Sequence, residues 1–190
     1  MNEDFQVYLT KWEDHLLAKV LLSWQLIDES DTTVAKISKK KFTGASKKIY
    51  DGKRNLIYTT DIVNLPSKKE IWNYEESRKY IIYKDEKAIA TANLHFVINP
   101  DRTMLQRLTL RPHLVDRMDV ETIYVLLVVE RQKNNGVTIS QDGVQLGKVT
   151  PFFTFKPKYL EYIGQYEVTF WSGIYVLIEY MMHEDDMIFV

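Results

Sequence analysis

The sequence has no cysteine, little glycine or proline, and no excess of either charge. The missing cysteine excludes a disulfide framework, a thiolate nucleophile and a cysteine-ligated metal. With only 7 glycines and 5 prolines in 190 residues, no linker rich in them divides the chain, so a single domain over residues 1–190 is expected. The net charge of −1 gives no overall field to attract nucleic acid, and no nucleic-acid partner is expected.

Recognisable catalytic motifs are absent as well. The sequence contains neither a phosphate-binding P-loop nor a dinucleotide-binding glycine fingerprint. Its 4 histidines are scattered, and none accompanies a serine in a nucleophile-elbow setting. His183 precedes three acidic residues, but one histidine with acids beyond a helix end is a weak ligand set for a metal. We therefore expect a non-enzymatic protein with no cofactor and no metal.

A long uncharged apolar run is also missing. The most apolar stretch, from Val168 to Met182, is shorter than the roughly 20 residues of a membrane span and contains Glu179. It predicts a buried helix over about 166–183. The opening residues, Met1 to Gln6, are acidic and lack an apolar segment, so no secretory signal is expected.

The predicted helix is apolar nearly all round, which is typical of a helix that is buried on most sides. One narrow stripe at three- and four-residue spacing is polar, and it consists of Thr169, Ser172, Glu179 and His183. This polar seam predicts either an opening in the wall around the helix or a buried partner. For Glu179 we expect an ion pair with a basic side chain or with His183.

Four segments upstream share a pattern that is typical of β-hairpins. In each, an aliphatic residue is followed by a turn containing Asp and, seven positions later, by a second aliphatic residue. The pairs are Ile27 and Val34, Ile49 and Leu56, Ile82 and Ile89, and Ile139 and Leu146. Their uneven spacing does not suit a solenoid or a propeller, so it indicates hairpins within one meandering sheet.

A further β run is predicted from Val120 to Glu130, and its middle is too continuously apolar to have one face in water. The aromatic content of 13% also favours strands. Many short strands and one apolar helix predict a mainly β protein. We expect an antiparallel, closed or nearly closed barrel of roughly 10–12 strands wrapped around the C-terminal helix, because closure removes exposed strand edges.

Hairpins of this type followed by a nearly all-apolar C-terminal helix resemble the tubby C-terminal fold, in particular the LURP-one-related and phospholipid-scramblase-like proteins. The resemblance covers about residues 20–185 and rests on layout rather than on a specific motif. It implies a barrel of about twelve antiparallel strands around the helix. It also implies binding of phosphoinositide headgroups or association with membranes. The absence of cysteine removes the palmitoylated cluster that many scramblases carry.

The densest basic segment lies within residues 36–54, where Asp51 is the only acidic residue. Its basic residues are Lys36, Lys39, Lys40, Lys41, Lys47, Lys48, Lys53 and Arg54. Such a hairpin can hold an anionic lipid headgroup, with up to about 1 kcal/mol per cation at an anionic surface. The alternative is a solvated hairpin whose lysines protect a strand edge.

These patterns favour a non-enzymatic binding module that recognises anionic phospholipid or a membrane surface through the basic hairpin. Such a protein would be cytoplasmic and peripheral at the membrane. The alternative is a small-ligand-binding or enzymatic barrel with a loop-lined site at its mouth. The helix discriminates between them, because a helix that fills the barrel leaves no central cavity for a ligand.

Overall fold

A computed structural model describes residues 5–12, 24–39, 46–64, 78–96, 115–133, 136–150, 158–163 and 166–182. These residues form twelve strands and one helix. The elements are β1 (Phe5–Trp12), β2 (Trp24–Ile27), β3 (Thr33–Lys39), β4 (Lys47–Asp51), β5 (Leu56–Asn64), β6 (Arg78–Lys84), β7 (Lys87–Phe96), β8 (Val115–Thr122), β9 (Leu126–Arg131), β10 (Val137–Gln141), β11 (Val144–Thr150), β12 (Lys158–Ile163) and α1 (Val168–Met182).

The strands form a closed antiparallel barrel. Each strand pairs with its neighbours in sequence, and β1 pairs with both β2 and β12, which completes the ring. The predicted fold class is therefore confirmed, including the strand number and the C-terminal helix. Because every described strand has two partners, none of them presents a free edge.

Helix α1 is packed within the hydrophobic core that the strands enclose. All its residues are buried except Val168, Phe170 and Glu179, as its nearly all-apolar sequence predicted. The indole of Trp171 stacks on the ring of Tyr162 in β12, with ring centroids 4.9 Å apart. On another side, Gly173 of the helix approaches β6 closely. A β-carbon added to this glycine would lie only 3.0 Å from the Cδ1 atom of Ile82. The helix and the wall are thus in direct contact on two sides.

The four predicted hairpins are β2–β3, β4–β5, β6–β7 and β10–β11. In each, the pairing register shifts at the first aliphatic residue of the pattern: Ile27, Ile49, Ile82 or Ile139. Left-handed backbone at the turns is adopted by Asp31, Arg54, Asp85, Glu86, Asp142 and Gly143. The recurring sequence pattern therefore specifies a bulge followed by a tight turn.

The predicted β run from Val120 to Glu130 is a hairpin, and the expectation that its middle has no face in water is wrong, because Ile123, Tyr124 and Leu126 are 63%, 82% and 46% exposed. Strand β8 ends at Thr122 and β9 begins at Leu126. The turn between them lacks Gly, Asn, Asp and Pro, the residues from which turns are normally recognised. Instead, the Thr122 side chain accepts hydrogen bonds from the backbone N–H groups of Tyr124 and Val125, 3.2 and 2.9 Å away.

The alternating strand directions give the barrel two different ends. The turn end carries the five short β-turn connections β2–β3, β4–β5, β6–β7, β8–β9 and β10–β11. The loop end carries the six other connections, 13–23, 40–46, 65–77, 97–114, 132–136 and 151–157, of which the structure describes only residues 46, 132, 133 and 136. Lys158, the first residue of β12, contacts Glu179 near the C-terminus of α1. Helix α1 therefore runs from the turn end to the loop end.

Within the described ranges, no helix combines the length and apolarity that crossing a membrane requires.

Candidate functional site

Successive side chains of a strand point to opposite faces, so basic residues that are adjacent in sequence lie on different faces of the barrel wall. Lys36 and Lys48 alternate with buried neighbours and lie on the outer face of β3 and β4. Lys47 instead points into the barrel, where it is 8% exposed. Its Nζ lies 4.9 Å from the ring centre of Trp24, within the range of a cation–π interaction. Lys47 therefore belongs to the core and not to an outer binding surface.

Lys53 and Arg54 lie at the turn end, in the β4–β5 turn. The Asp51 carboxylate organises this turn by accepting hydrogen bonds from the backbone N–H groups of Lys53 and Asn55. Hydrogen bonds from Asn55 are the main cause that lowers the pKa of Asp51, so its carboxylate stays ionised. These two cations are thus separated by the length of β4 from the β3–β4 connection.

The eight predicted cations consequently do not form one surface. Lys39 ends β3, where its backbone pairs with that of Lys47, and Lys40 and Lys41 lie outside the described residues. A role for this set in anion binding stays a prediction, with its members divided among an outer face, the core and the turn end.

A basic flank does exist on the outer face of β3, β4 and β6, and it consists of Lys36, Lys48 and Lys79. Lys79 was not among the expected site residues. Asp61 is an acidic residue on β5 between them, and its carboxylate accepts a hydrogen bond from the Ser46 hydroxyl. Three cations face one carboxylate here, so this face is locally positive although the chain as a whole is not.

The outer face of β8 and β9 has the opposite character. This acidic flank consists of Asp116, Asp119, Glu121 and Glu130, and in a ring of twelve strands β9 lies across from β3. Asp119 bonds to Arg117 and to His95, each at 2.9 Å. Partial burial raises the pKa of Asp119, but the hydrogen bonds from Arg117 and His95 outweigh it and lower the pKa overall. Negative charge is therefore concentrated on β8 and β9, across the ring from Lys36 on β3 and two strands from Lys79 on β6, a pattern that the balanced composition conceals.

The polar seam of α1 is buried at two of its described positions, Thr169 and Ser172. Thr169 and Ser172 are 4% and 0% exposed. The Ser172 hydroxyl donates to the carbonyl oxygen of Val168, one turn earlier in the same helix, at 2.8 Å. His183 lies outside the described residues. A serine that bonds within its own helix needs no partner from the wall, which explains how the seam is buried.

Glu179 has a basic partner, as its sequence position predicted, and that partner is a largely buried lysine. Its carboxylate accepts hydrogen bonds from the Nζ of Lys158 on β12 and from the hydroxyl of Tyr175, both at 2.5 Å. The side chains of Lys158 and Glu179 are 14% and 12% exposed. This ion pair joins the C-terminal half of α1 to β12, one of the strands that close the ring on β1.

A second polar contact joins α1 to the opposite side of the wall. The Tyr180 hydroxyl lies 2.8 Å from the hydroxyl of Thr60 on β5, and that Thr60 oxygen accepts from the backbone N–H of Lys47. Burial raises the pKa of Tyr180, so the phenol remains neutral. The contacts of Glu179 and Tyr180 thus hold the C-terminal half of the helix to two sides of the barrel.

No three of the His, Asp and Glu side chains in the described residues are grouped so that they could hold a metal ion. Apolar side chains of α1 pack against those of the strands in the interior, and the charged groups outside it are arranged as two flanks of opposite sign. Comparison of the chain with family models, with curated proteins and with solved structures finds no match in any of the three.

Proposed function

We propose that this chain is a non-enzymatic module that binds anionic phospholipid surfaces through its basic flank. The observation that supports this proposal is the uneven distribution of charge, with Lys36 and Lys48 on β3 and β4, Lys79 on β6, and the acidic flank on β8 and β9. A net charge of −1 gives no long-range attraction. A molecule with two oppositely charged sides is nevertheless oriented by an anionic surface, with its basic flank towards the lipid.

The expected affinity follows from the number of cations. Each lysine at an anionic surface contributes about 1 kcal/mol, so three give about 3 kcal/mol. Lys39, Lys40 and Lys41 extend from the same end of β3 and β4 in sequence. If they also reach the surface, the total of about 6 kcal/mol corresponds to a Kd of roughly tens of micromolar. Binding of this strength is peripheral and reversible.

The cytoplasmic leaflet is the membrane surface that carries anionic lipid, so the proposal places the protein in the cytoplasm, peripheral at that leaflet. The resemblance to tubby-like and LURP-one-related proteins favours the same class of ligand. That resemblance stays a prediction, because only the barrel-and-helix architecture it implied is established.

Charge reversal on the basic flank tests the proposal. Changing Lys36, Lys48 and Lys79 to Glu is expected to reduce the apparent affinity for phosphatidylserine-containing vesicles by about tenfold or more. The measurement is co-sedimentation with phosphatidylcholine vesicles, with and without phosphatidylserine, over a range of salt concentrations. Binding by the wild type should require phosphatidylserine and weaken as salt is added.

The matched control changes three exposed cations at the turn end, Lys53, Arg54 and Lys87, to Glu. This variant has the same net charge as the first, so a shared loss of binding would reflect total charge alone. We expect its affinity to change by less than about twofold. Equal pelleting of the two variants, or no dependence on phosphatidylserine, rules out the basic flank as the binding surface.

A further inference from the structure

Large apolar side chains are exposed together at the turn end, beside the acidic flank. Ile123 and Tyr124, in the β8–β9 turn, are 63% and 82% exposed, and Leu126 and Val144 are 46% and 60% exposed. We call these four residues the apolar rim. Folded proteins rarely leave such side chains in water as a group unless the group contacts something else.

The strand register places the members of the apolar rim at the same end of neighbouring strands. Strand β9 lies between β8 and β10, and Val128 pairs with Ser140. Leu126 lies two residues before Val128, and the β10–β11 turn begins two residues after Ser140 and leads to Val144. The β8–β9 and β10–β11 turns are therefore neighbours at the turn end, with Ile123 and Tyr124 in the first and Val144 directly after the second.

The backbone holds the apolar rim in its exposed position. The backbone N–H of Thr122 donates to the carbonyl oxygen of Val125 at 2.9 Å, and the Thr122 hydroxyl also donates to that oxygen at 2.9 Å. The N–H of Ile123 donates to the carbonyl oxygen of Ile89 on β7, at 3.3 Å. Because the turn is already ordered, a partner that binds Ile123 and Tyr124 loses little free energy in fixing them. Tyrosine is also among the residues that most often anchor protein interfaces.

The charges around the apolar rim define the partner. Glu121 pairs directly with Leu126, Asp142 lies in the β10–β11 turn, and Glu130 lies further along β9. Of the described cations nearby, Arg117 is bonded to Asp119, Lys148 on β11 is paired with Glu161, and Lys87 begins β7 directly after Asp85 and Glu86. The surroundings are therefore acidic, which repels an anionic membrane and attracts a cationic partner.

From this arrangement we propose that the apolar rim and the acidic flank together bind a cationic amphipathic segment of another protein. Apolar side chains of the segment contact Ile123, Tyr124, Leu126 and Val144, and its lysines or arginines face Glu121 and Glu130. A second copy of this chain fits less well, because Val63 is the one large apolar residue exposed beside the described lysines of its basic flank. The proposed site lies away from the basic flank, so both surfaces can be occupied at once.

The test uses a fluorescent synthetic peptide of Leu and Lys with helical amphipathic spacing, and its Leu–Glu counterpart. Binding to the full chain is followed by anisotropy. The variant combines Ile123→Ser with Tyr124→Ser. The matched control combines Val63→Ser with Tyr159→Ser. It also removes one β-branched aliphatic side chain and one tyrosine, which are 37% and 43% exposed and lie outside the apolar rim. All four substituted positions are exposed, so both variants should unfold at the wild-type temperature.

We expect the Leu–Lys peptide to bind the wild type and the control within about twofold of each other, and the rim variant about tenfold more weakly. Glu121→Gln with Glu130→Gln should also weaken binding and reduce its dependence on salt. The Leu–Glu peptide should not bind. Equal affinity of the rim variant and the wild type, or equal binding of both peptides, overturns the proposal.

Two further outcomes would identify a different occupant and also overturn it. One is a dimer of the wild type in sedimentation velocity that the rim variant loses. The other is loss of phosphatidylserine-vesicle binding by the rim variant. Because the basic-flank variants leave the apolar rim unchanged, failure of the membrane proposal and failure of this one are distinguishable.

Discussion

Replacing Glu179 with leucine is expected to lower the free energy of unfolding by about 3 kcal/mol. Lys158 points from β12 towards α1, and its side chain is 14% exposed. Without the carboxylate, its ammonium group loses the anion that it contacts at 2.5 Å, and the Tyr175 hydroxyl loses the same acceptor. Removing one partner of a largely buried ion pair costs more than the intact pair contributes.

The double variant with Lys158→Met separates these effects. It removes both charges together, so we expect it to recover most of the loss caused by Glu179→Leu. Glu161→Leu is the matched control, because Glu161 lies on the same strand and pairs with Lys148 at 2.6 Å, with side chains 23% and 40% exposed. That variant should change stability by less than about 1 kcal/mol. Equal effects of Glu179→Leu and Glu161→Leu in denaturant titrations would show that the Lys158–Glu179 pair is not effectively buried.

Truncating Leu177 to alanine is expected to destabilise the protein by about 3 kcal/mol. Leu177 is fully buried in the middle of α1, so the change removes apolar contacts and leaves a cavity that the surrounding wall fills only in part. Guanidinium titration measures the effect as a lower midpoint with an unchanged slope.

The same substitution at Leu126 is the matched control, since this side chain is 46% exposed on the apolar rim. Its truncation should cost less than about 1 kcal/mol. A loss at Leu177 no greater than that at Leu126 would contradict a core centred on the helix.

The sequence was sufficient to predict the architecture because two local signals repeat without conflict. Aliphatic residues around Asp-containing turns specify the hairpins, and an apolar helix that cannot face water requires a wall around it. The β8–β9 turn escaped prediction because a threonine hydroxyl supplies the hydrogen bonds that Gly or Asn turns obtain by conformation. Its apolar residues, Ile123 and Tyr124, therefore looked like strand interior.

The candidate site was less predictable, because it depends on relations between strands. Adjacent lysines such as Lys47 and Lys48 must lie on opposite faces of a strand, so a dense basic segment overstates the charge on either face. Lys79 joins the basic flank only after β5 and β6 are paired. In the same way, the pairing of Glu179 with Lys158 can be predicted only if the position of α1 along β12 is known. No local sequence pattern gives that position.

Hydrogen exchange of the α1 backbone amides tests the central claim most directly, namely that the helix is the core of a closed barrel and that binding therefore occurs on the outside. We predict that amides from Trp171 to Met181 belong to the slowest-exchanging class and exchange only through global unfolding. Leu177→Ala should then reduce their protection by the same free energy as it reduces global stability. The claim is contradicted if these amides exchange through a local unfolding that costs less free energy than global unfolding, while the amides of the barrel strands remain protected. The helix would then be able to leave an intact barrel.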